Sequence, residues 1–534
     1  MLEQAKIADA PPKSHNKFGD WVMHAPQTFR ALVRADEIWL ALLSAVVGVL
    51  AGCGVALIDT ATSLMHTKLF ALPVGQGLSE SAAVAPLRAI FVPVLGGVVL
   101  GVSLWVLTKF RPKPLVDPVE ANALYGGRVS LTDSVIVALQ TTWSNGVGAS
   151  VGMEAGFAQI GAGIASRLGR SFRLRRNDLR VLVGAGAAAA IGGAFNAPLC
   201  GAFYGIELII GVYSITTLPF VVIAALAGTL TTQILLGGTP PLNVTLPLDV
   251  PSSAYPMVLL LGILSGLAGI VIMRGVTAIE SGFRRSGIPI WARPILGGMV
   301  VGLLGWVTPK ALSSGHSALH ADVGVTFPFF ILLMFFVLKA VASAFSIGSG
   351  FRGGLFFASL FLGALFGKLF AGLLLLAPGV DAMPVGFYAV VGMSALATAI
   401  VGGPMTMTFL ALESTQNFNV TMAVLAARAN GLLILDGVCN AIEDQARLEA
   451  ECVQARDSGF DGKTLIHPAQ LDLCNRVFAP SAEDIAEAEG IVAAFADPAN
   501  AGKGALRING KMVELLHLAQ AKQLLAKAEA IAKR

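Results

Sequence analysis

The strongest constraint on this chain is a series of long apolar segments without charged residues. The segment IWLALLSAVVGVLAGCGVALI at 38–58 is longer than the roughly 20 residues with which an α-helix crosses a bilayer. Only 13% of the 534 residues are charged, whereas soluble domains carry roughly 25%. The chain is therefore predicted to be an all-α polytopic membrane protein. Further apolar segments lie at 89–108, 215–236, 255–273, 292–308, 325–347, 354–377 and 384–401.

The distribution of basic residues predicts an orientation. Arginines cluster in the segments 169–180 and 274–293, and the positive-inside rule places both in the cytoplasm. Residues 1–35 are polar and lack a signal-peptide core, so we expect a cytoplasmic N-terminal segment of a multi-pass protein of the bacterial inner membrane. The basic segments do not interleave aromatic residues as a nucleic-acid surface does, so no nucleic acid is expected as a partner.

Glycines cluster where short apolar segments begin or end. Broken backbone at membrane depth is tolerated only where it is buried in protein or lines a cavity. A helix that begins there directs unpaired N–H groups and the positive end of its dipole at the cavity, which favours anions. Two such helix starts are predicted at 152–154 and 353–356, one in each half of the chain. This arrangement is typical of an inverted-repeat transporter.

A single carboxylate lies at the first of these helix starts. Glu154 lies within SNGVGASVGMEAGFAQIG at 144–161. It is the only charged residue in the sequence between Asp133 and Arg167. A carboxylate inside the membrane is costly and therefore a functional candidate. It can occupy the place of an anion and leave that place when it is protonated. The alternative is that Glu154 only compensates the helix dipole.

Four motifs in the larger, apolar part of the chain occur in a fixed order. They are GMEAG at 152–156, AAAAIGGAFNAPLCGAFYGIE at 187–207, GGLFFASLFLGALFG at 353–367 and AIVGGPMTMTFLALESTQNF at 399–418. Together they resemble the CLC family of chloride channels and chloride/proton antiporters, over residues 36–427. The resemblance implies a CLC-type inverted repeat of about 16 to 18 uneven, partly broken helices. It also implies a homodimer in the lipid bilayer, with one pore per subunit for chloride or other small anions.

The resemblance assigns roles to individual residues. Glu154 falls on the family's external gating glutamate. Gly152 and Phe356 fall on residues whose backbone amides line the anion path. The residues implied to bind the anion are Gly152, Met153, Gly354, Leu355 and Phe356.

Three departures from the family pattern limit the expected mechanism. Leu115 stands where the family has a serine on the central anion, and Asp117 there is predicted to be a helix N-cap. Leu208 stands where antiporters carry an inner proton glutamate, beside a Glu207 predicted to be structural. No tyrosine follows Tyr388, although the family ends on a tyrosine that contacts the anion. The expected function is anion transport gated by Glu154, channel-like or weakly coupled to protons.

The last fifth of the chain has a different character. From 428 onward it is charged and soluble-looking, and GFDGKTLIHPAQ at 459–470 resembles the citrate lyase β-subunit and malyl-CoA lyase family. Those enzymes are Mg-dependent TIM barrels that act on CoA thioesters. Residues 428–534 are therefore expected to be a soluble α/β fragment of a TIM-barrel-type enzyme. Residues 511–534 are predicted to form an amphipathic helix, and Ser481 is predicted to be an N-cap.

Only the end of such a barrel is present, without the earlier strands that hold substrate and metal. Asp436 and His467 have no catalytic companions, so the chain is predicted not to be an enzyme. No cofactor is predicted, with Mg²⁺ needed only if the tail were functional. The segment VLAARANGL at 424–432 passes directly from one family to the other. Two alternatives therefore stay open: a non-functional hybrid, and CoA-thioester lyase activity in the tail.

Overall fold

The computed structural model describes most of the apolar part of the chain and more than half of the tail. In the first part these residues are 37–73, 75–111, 115–214, 216–237, 242, 244, 246–247, 250–376 and 383–416. In the tail they are 435–436, 445–457, 462–463, 468–497, 500, 505–508, 511–514, 518, 521–522, 524–525 and 528–529. The predicted segment 1–35 and the predicted boundary at 427/428 lie outside them.

The chain divides into two compact units, Met1–Asn430 and Gly431–Arg534. The described part of the first unit is helical, with a π-helical turn at Gly205–Ile210 and 3₁₀ turns at Ser252–Ala254 and Pro309–Ala311. Its α-helices are α1 Glu37–Phe70, α2 Pro86–Phe110, α3 Pro118–Leu124, α4 Leu131–Gly146, α5 Glu154–Ser171, α6 Arg176–Phe195, α7 Pro198–Tyr204, α8 Leu218–Leu236, α9 Tyr255–Arg285, α10 Arg293–Val307, α11 His316–Asp322, α12 Phe329–Ser349, α13 Phe356–Leu374, α14 Val385–Val401 and α15 Pro404–Thr415.

The helices differ greatly in length, which confirms the predicted uneven and partly broken architecture. Among the described residues, seven helices are long and apolar enough to cross a bilayer: α1, α2, α6, α8, α9, α12 and α13. The short helices α3, α7 and α15 each begin with a proline at the first helical position. Proline is favoured there because its missing N–H would have no partner in any case. The chain is thus a multi-pass membrane protein in which short helices stand beside long ones.

Glycines let the central helices approach closely. Gly363 and Gly367 of α13 face Gly392 and Tyr388 of α14, and a Cβ at Gly367 would overlap the backbone oxygen of Tyr388. Such close contact between backbones is how small residues stabilise helix pairs inside a membrane. The packing holds α13, and therefore its first residue Phe356, in a fixed position.

Two short helices cap one another. Within the π-helical turn that follows α7, Glu207 accepts hydrogen bonds from Met405 N at 2.9 Å and Thr406 N at 2.9 Å, at the start of α15. Near the end of α15, Glu413 accepts hydrogen bonds from the first turn of α7, at Leu199 N and Cys200 N, both at 2.8 Å. Each carboxylate satisfies backbone N–H groups that a helix start leaves unpaired. These bonds agree with the structural role predicted for Glu207.

The described part of the second unit is α/β. Strand β1 (Leu435–Asp436) pairs in parallel with β2 (Gly462–Lys463), and α16 (Gln445–Asp457) connects them. A strand–helix–strand unit of this kind is the repeating element of TIM barrels. The remaining elements are α17 Leu471–Phe478, α18 Ala482–Ala496, β3 Ala505–Ile508 and β4 Lys511–Glu514, with a 3₁₀ turn at Pro468–Gln470.

The predicted helix at 511–534 is wrong in its first turn. Residues Lys511–Glu514 form β4, which pairs antiparallel with β3 so that Ile508 lies opposite Lys511. The two residues between them are Asn509 and Gly510, a pair that strongly favours a two-residue hairpin connection. Strand pairing therefore prevailed over the helical spacing of the apolar residues. The predicted N-cap at Ser481 is confirmed, as part of a capping box with Asp484.

Gly367→Ala is expected to destabilise the membrane unit by about 1–3 kcal/mol, because the added Cβ forces α13 and α14 apart. The matched control is Gly275→Ala in α9, where an added Cβ meets no atom within 4 Å. That control should be neutral or stabilising by up to about 1 kcal/mol. Thermal unfolding in detergent measures the stability of both variants. The loss of the monodisperse peak is the signal. Equal stability of the two variants would contradict the packing role.

Ser481→Ala is expected to weaken α18 by about 1 kcal/mol, because the capping box is lost. Hydrogen bonds from the Ser481 hydroxyl and backbone N–H lower the pKa of Asp484 below its ordinary value of 3.8. A lowered carboxylate pKa gives stability above the ordinary value, and this stability disappears as the pH falls through the folded-state pKa. Amide exchange of α18 should therefore separate variant from wild type most at neutral pH, and less once the pH has fallen through the lowered pKa of Asp484. Glu489→Gln, exposed on the same helix, is the control that should leave exchange unchanged.

Candidate anion site at two broken helices

The two predicted helix starts meet in space. Helix α5 begins at Glu154 and helix α13 begins at Phe356. Just before them, Gly152 N donates to the backbone oxygen of Gly354 at 2.8 Å, and Gly354 N donates back to Gly152 at 3.3 Å. This short antiparallel bridge joins the two halves of the repeat at one point. The positive ends of two helix dipoles therefore converge there.

The Glu154 carboxylate crosses from one helix start to the other. Its Oε1 accepts a hydrogen bond of 2.7 Å from Phe356 N, the first amide of α13. The side chain is only 5% exposed. Its second oxygen, Oε2, is buried and has no hydrogen-bond partner within the described part of the chain. One carboxylate oxygen is thus held by the start of α13, and the other makes no hydrogen bond among the described residues.

The bridge glycines make room for this carboxylate. A Cβ at Gly152 would overlap Oε2, and a Cβ at Gly354 would overlap Oε1. The next glycine, Gly353, lies against the backbone of Gly152 and the side chain of Val151. A carboxylate can lie between the two helix starts only because neither glycine has a side chain.

The other predicted anion-binding residues lie around the same point. Met153 and Leu355 are the residues immediately before α5 and α13. The Met153 sulfur accepts a hydrogen bond of 3.3 Å from the Thr62 hydroxyl, so it is engaged with α1. The structure thus brings Gly152, Met153, Gly354, Leu355 and Phe356 together with Glu154, and their contacts with an anion stay predictions.

The segment that lacks the family serine lies close to the same helix start. Asp117 Oδ1 accepts a hydrogen bond of 2.7 Å from Glu120 N, and Pro118 follows it, as predicted for an N-cap. Gln159 of α5 donates to the Val116 oxygen at 3.1 Å, which ties this segment to the Glu154 helix. A partly buried apolar Leu115 stands at the serine position, so no hydroxyl is available there.

A buried polar network supports the segment before Gly152. Asn145 Nδ2 donates to the Val151 oxygen at 2.7 Å, and the Ser313 hydroxyl donates to Asn145 Oδ1 at 3.0 Å. The fully buried Lys339 donates to the Ser313 oxygen at 2.6 Å. Burying an ammonium group is costly unless hydrogen bonds compensate it. The network therefore fixes the backbone at Val151 and with it the position of the bridge.

Sequence reasoning missed the aromatic residues around Phe356. The rings of Phe195 and Phe357 stack with centroids 4.3 Å apart, and Phe195 lies 4.7 Å from Phe356. Tyr204 lies 6.1 Å from Phe356, measured between ring centroids. Phe195 and Tyr204 both belong to the segment 187–207 that carried the family resemblance, but nothing in a linear pattern shows which of its residues face another helix.

A cavity of about 410 Å³ lies beside these rings, lined among others by Phe195, His316, His320 and Glu413. The two histidine rings are 4.8 Å apart. Within the described residues, no group of three His, Cys, Asp or Glu side chains is placed to hold a metal ion. The cavity therefore has no metal-binding arrangement in this part of the chain.

Comparison with known proteins identifies the family to which the first unit is similar. Residues 99–435 match the family model described as voltage gated chloride channel. The chain is 30% identical over 394 residues to the voltage-gated ClC-type chloride channel ClcB of Salmonella typhimurium, covering 72% of this chain and 93% of that protein. It is 32% identical over 365 residues to a putative ClcB-like chloride channel protein of Ralstonia nicotianae, covering 67% and 84%.

Two solved structures share the fold. A slow cyanobacterial Cl⁻/H⁺ antiporter superposes with a TM-score of 0.60 at 22% identity, covering 73% of this chain and 92% of that one. A CLC-type fluoride/proton antiporter superposes with a TM-score of 0.59, also at 22% identity, covering 73% and 95%. At this level of identity the likeness establishes the fold alone.

The tail matches a second family, and this corrects one prediction. Residues 406–532 match the model described as a C–C bond lyase of the TIM-barrel fold. The tail is 56% identical over 111 residues to a (3S)-malyl-CoA thioesterase of Cereibacter sphaeroides, covering 21% of this chain and 39% of that enzyme. The prediction that the chain is not an enzyme conflicts with this strong similarity and is wrong as stated. The prediction considered only the missing barrel strands. It did not consider how similar the remaining tail is to the enzyme.

The two family matches overlap at 406–435, the region in which the sequence passes from one pattern to the other. The first match covers more than half of the chain, and the bridged glycines and Glu154 lie inside it. The chain therefore belongs to the voltage gated chloride channel family, and carries a C-terminal segment similar to part of a C–C bond lyase.

Proposed function

We propose that this protein carries chloride or another small anion across a lipid bilayer, with the Glu154 carboxylate as the gate. The observation that carries the proposal is the 2.7 Å hydrogen bond from Phe356 N to Glu154 Oε1. An amide at the start of a helix is a natural donor to an anion. In the closed state the Glu154 carboxylate accepts this hydrogen bond, so it occupies the place of the transported anion.

The gate opens through the charge of the carboxylate. Ionised Glu154 is attracted by two converging helix starts and by the charge-assisted bond to Phe356. Protonation removes that charge and weakens the bond. A small anion then accepts a hydrogen bond from the same N–H group, and the neutral Glu154 side chain moves aside. Acid therefore favours anion passage.

The coupling to protons is proposed to be absent or weak. Leu208 is apolar, and its neighbour Glu207 is fully engaged with Met405 and Thr406 at the start of α15. Neither residue therefore offers a free carboxylate. The similar proteins include both a chloride channel and an antiporter. We propose a homodimer in a bacterial inner membrane, with the N-terminus in the cytoplasm.

Chloride efflux from proteoliposomes that contain the full-length chain tests the proposal, with external pH recorded at the same time. Efflux above that of protein-free vesicles is expected. Absence of efflux from correctly inserted protein would contradict it and would favour a non-functional hybrid.

Glu154→Gln is expected to abolish the pH dependence of anion flux, because glutamine imitates the protonated gate at every pH. In wild type, flux should increase as the pH falls, since protonation opens the gate. In the variant, the ratio of flux at about pH 5 to that at about pH 8 should approach 1. Glu280→Gln is the control, because that carboxylate is about half exposed and pairs with Arg284 of its own helix. A variant at position 154 that keeps the wild-type pH profile would refute the gating role.

A second candidate function is CoA-thioester chemistry in the tail, favoured by its 56% identity to a malyl-CoA thioesterase. Mg²⁺ is the proposed cofactor for this function alone. The side chain of Asp436 and the whole of His467 lie outside the described residues, so no catalytic step is derived. Release of free CoA (thioester hydrolysis) or of glyoxylate (carbon–carbon cleavage) from malyl-CoA by the full chain, with and without Mg²⁺, is the test. Release above a heat-inactivated control would support this function, and none would exclude it.

A further inference from the structure

Six arginines lie in a short basic segment that the function proposed so far does not use. They are Arg167, Arg170, Arg173, Arg175, Arg176 and Arg180. Asp178 is the only acidic residue in the sequence between the first and the last of them. The segment contains the end of α5, the turn that follows it and the start of α6. Because α5 begins at Glu154, these arginines lie at the opposite end of that helix.

A second turn lies against the start of α6. Gly126 and Gly127 follow α3, and both have positive φ angles, of 60° and 79°. A Cβ added at Gly126 would lie 2.6 Å from Arg176 Nε, and one added at Gly127 would lie 3.2 Å from Arg180 Cα. The Arg176 side chain therefore lies across this turn, and the next residue after the two glycines is Arg128.

The turn is fastened to α5 by a buried hydroxyl. Ser166 of α5 donates to the Gly127 oxygen at 2.8 Å and accepts from Val129 N at 2.9 Å. Its side chain is fully buried. Arg128 lies between the two residues that Ser166 binds. Its backbone is therefore held beside both α5 and the start of α6.

Four of the arginines at these two turns are exposed, and we call them the arginine cluster: Arg128, Arg173, Arg175 and Arg176. Within the part of the chain that the structure describes, none of the four forms an ion pair with a carboxylate. Exposed guanidinium groups without a counter-charge create a positive surface potential. The surface therefore favours an anionic partner.

Exposed apolar side chains lie next to the arginine cluster. Leu124 and Tyr125 come directly before Gly126 and are 41% and 37% exposed. Helix α6, which begins at Arg176, is long and apolar enough to cross a bilayer. The arginine cluster thus lies where a membrane span begins, at the level of lipid headgroups. A phospholipid presents both a phosphate and acyl chains at this level, whereas a soluble anion gives the apolar side chains no contact.

We propose that the arginine cluster binds the phosphate of an anionic phospholipid, in the leaflet that the positive-inside rule assigns to the cytoplasm. A guanidinium group binds two phosphate oxygens through parallel N–H bonds. Basic pockets between membrane helices on the cytoplasmic side are typical headgroup sites. Leu124 and Tyr125 contact the upper part of the acyl chains. The site does not depend on anion transport or on the gating role of Glu154.

Arg173 allows a charge to be removed without loss of the fold. Its φ of 53° lies in the left-handed region that favours glycine. Arg173→Gly is therefore expected to keep the melting temperature of wild type or raise it. At Arg176, glutamine removes the charge and keeps the part of the side chain that lies over Gly126. The two substitutions together remove half of the charge of the arginine cluster.

Native mass spectrometry of the full-length chain in detergent tests the proposal, with phosphatidylglycerol and phosphatidylcholine of the same acyl chains as probes. Wild type is expected to bind phosphatidylglycerol at least about tenfold more tightly than phosphatidylcholine, as neutralisation of two or more basic residues implies. Arg173→Gly together with Arg176→Gln should reduce this preference to less than about threefold. Arg284→Gln together with Arg285→Gln is the matched control. It removes two exposed arginines from the other basic segment and should keep the wild-type preference.

Three results would overturn the proposal. Equal binding of the two lipids by wild type would leave the arginines as charges that only orient the chain in the membrane. The same loss of preference in both double variants would assign it to the total charge and not to the arginine cluster. Displacement of phosphatidylglycerol by an equal concentration of glycerol 1-phosphate would assign the site to a soluble anion. Each of these results leaves the proposed anion transport untouched.

Discussion

The hydrogen bond from Phe356 N to the Glu154 carboxylate is the contact on which the rest of the membrane unit depends. It joins the first residues of two helices from opposite halves of the chain, at 2.7 Å and almost entirely buried. A buried carboxylate is costly, and two converging helix dipoles together with a charge-assisted bond offset part of that cost. The surrounding structure keeps the two helix starts close enough for this to happen.

Three kinds of contact hold the helix starts in place. The bridge between Gly152 and Gly354 fixes their separation, and close backbone packing of α13 on α14 fixes the direction of the Phe356 helix. The network from Lys339 through Ser313 and Asn145 fixes the segment before Gly152. All three use small residues or buried polar residues. The glycines that form the bridge thus also lie against the Glu154 carboxylate.

Much of this site could be predicted from the sequence, because its residues lie at glycine-rich breaks in apolar segments. Glu154 stands out as the only charge over a long interval, and the ordered motifs assign Gly152 and Phe356. The contacts of Phe195 and Tyr204 could not be predicted, since they depend on how α6, α7 and α13 cross. In the tail, the spacing of apolar residues predicted a helix from Lys511, whereas pairing with Ala505–Ile508 made its start a strand. Tertiary pairing decided both cases.

We infer that the Glu154 carboxylate occupies the place of an anion, and a structure of Glu154→Gln in bromide tests this inference. Bromide replaces chloride chemically and is located by its anomalous scattering. A bromide peak is expected within about 3.5 Å of Phe356 N, where Glu154 Oε1 lies in the wild type. A glutamine that keeps the carboxylate's position, with no bromide at either helix start, would contradict it.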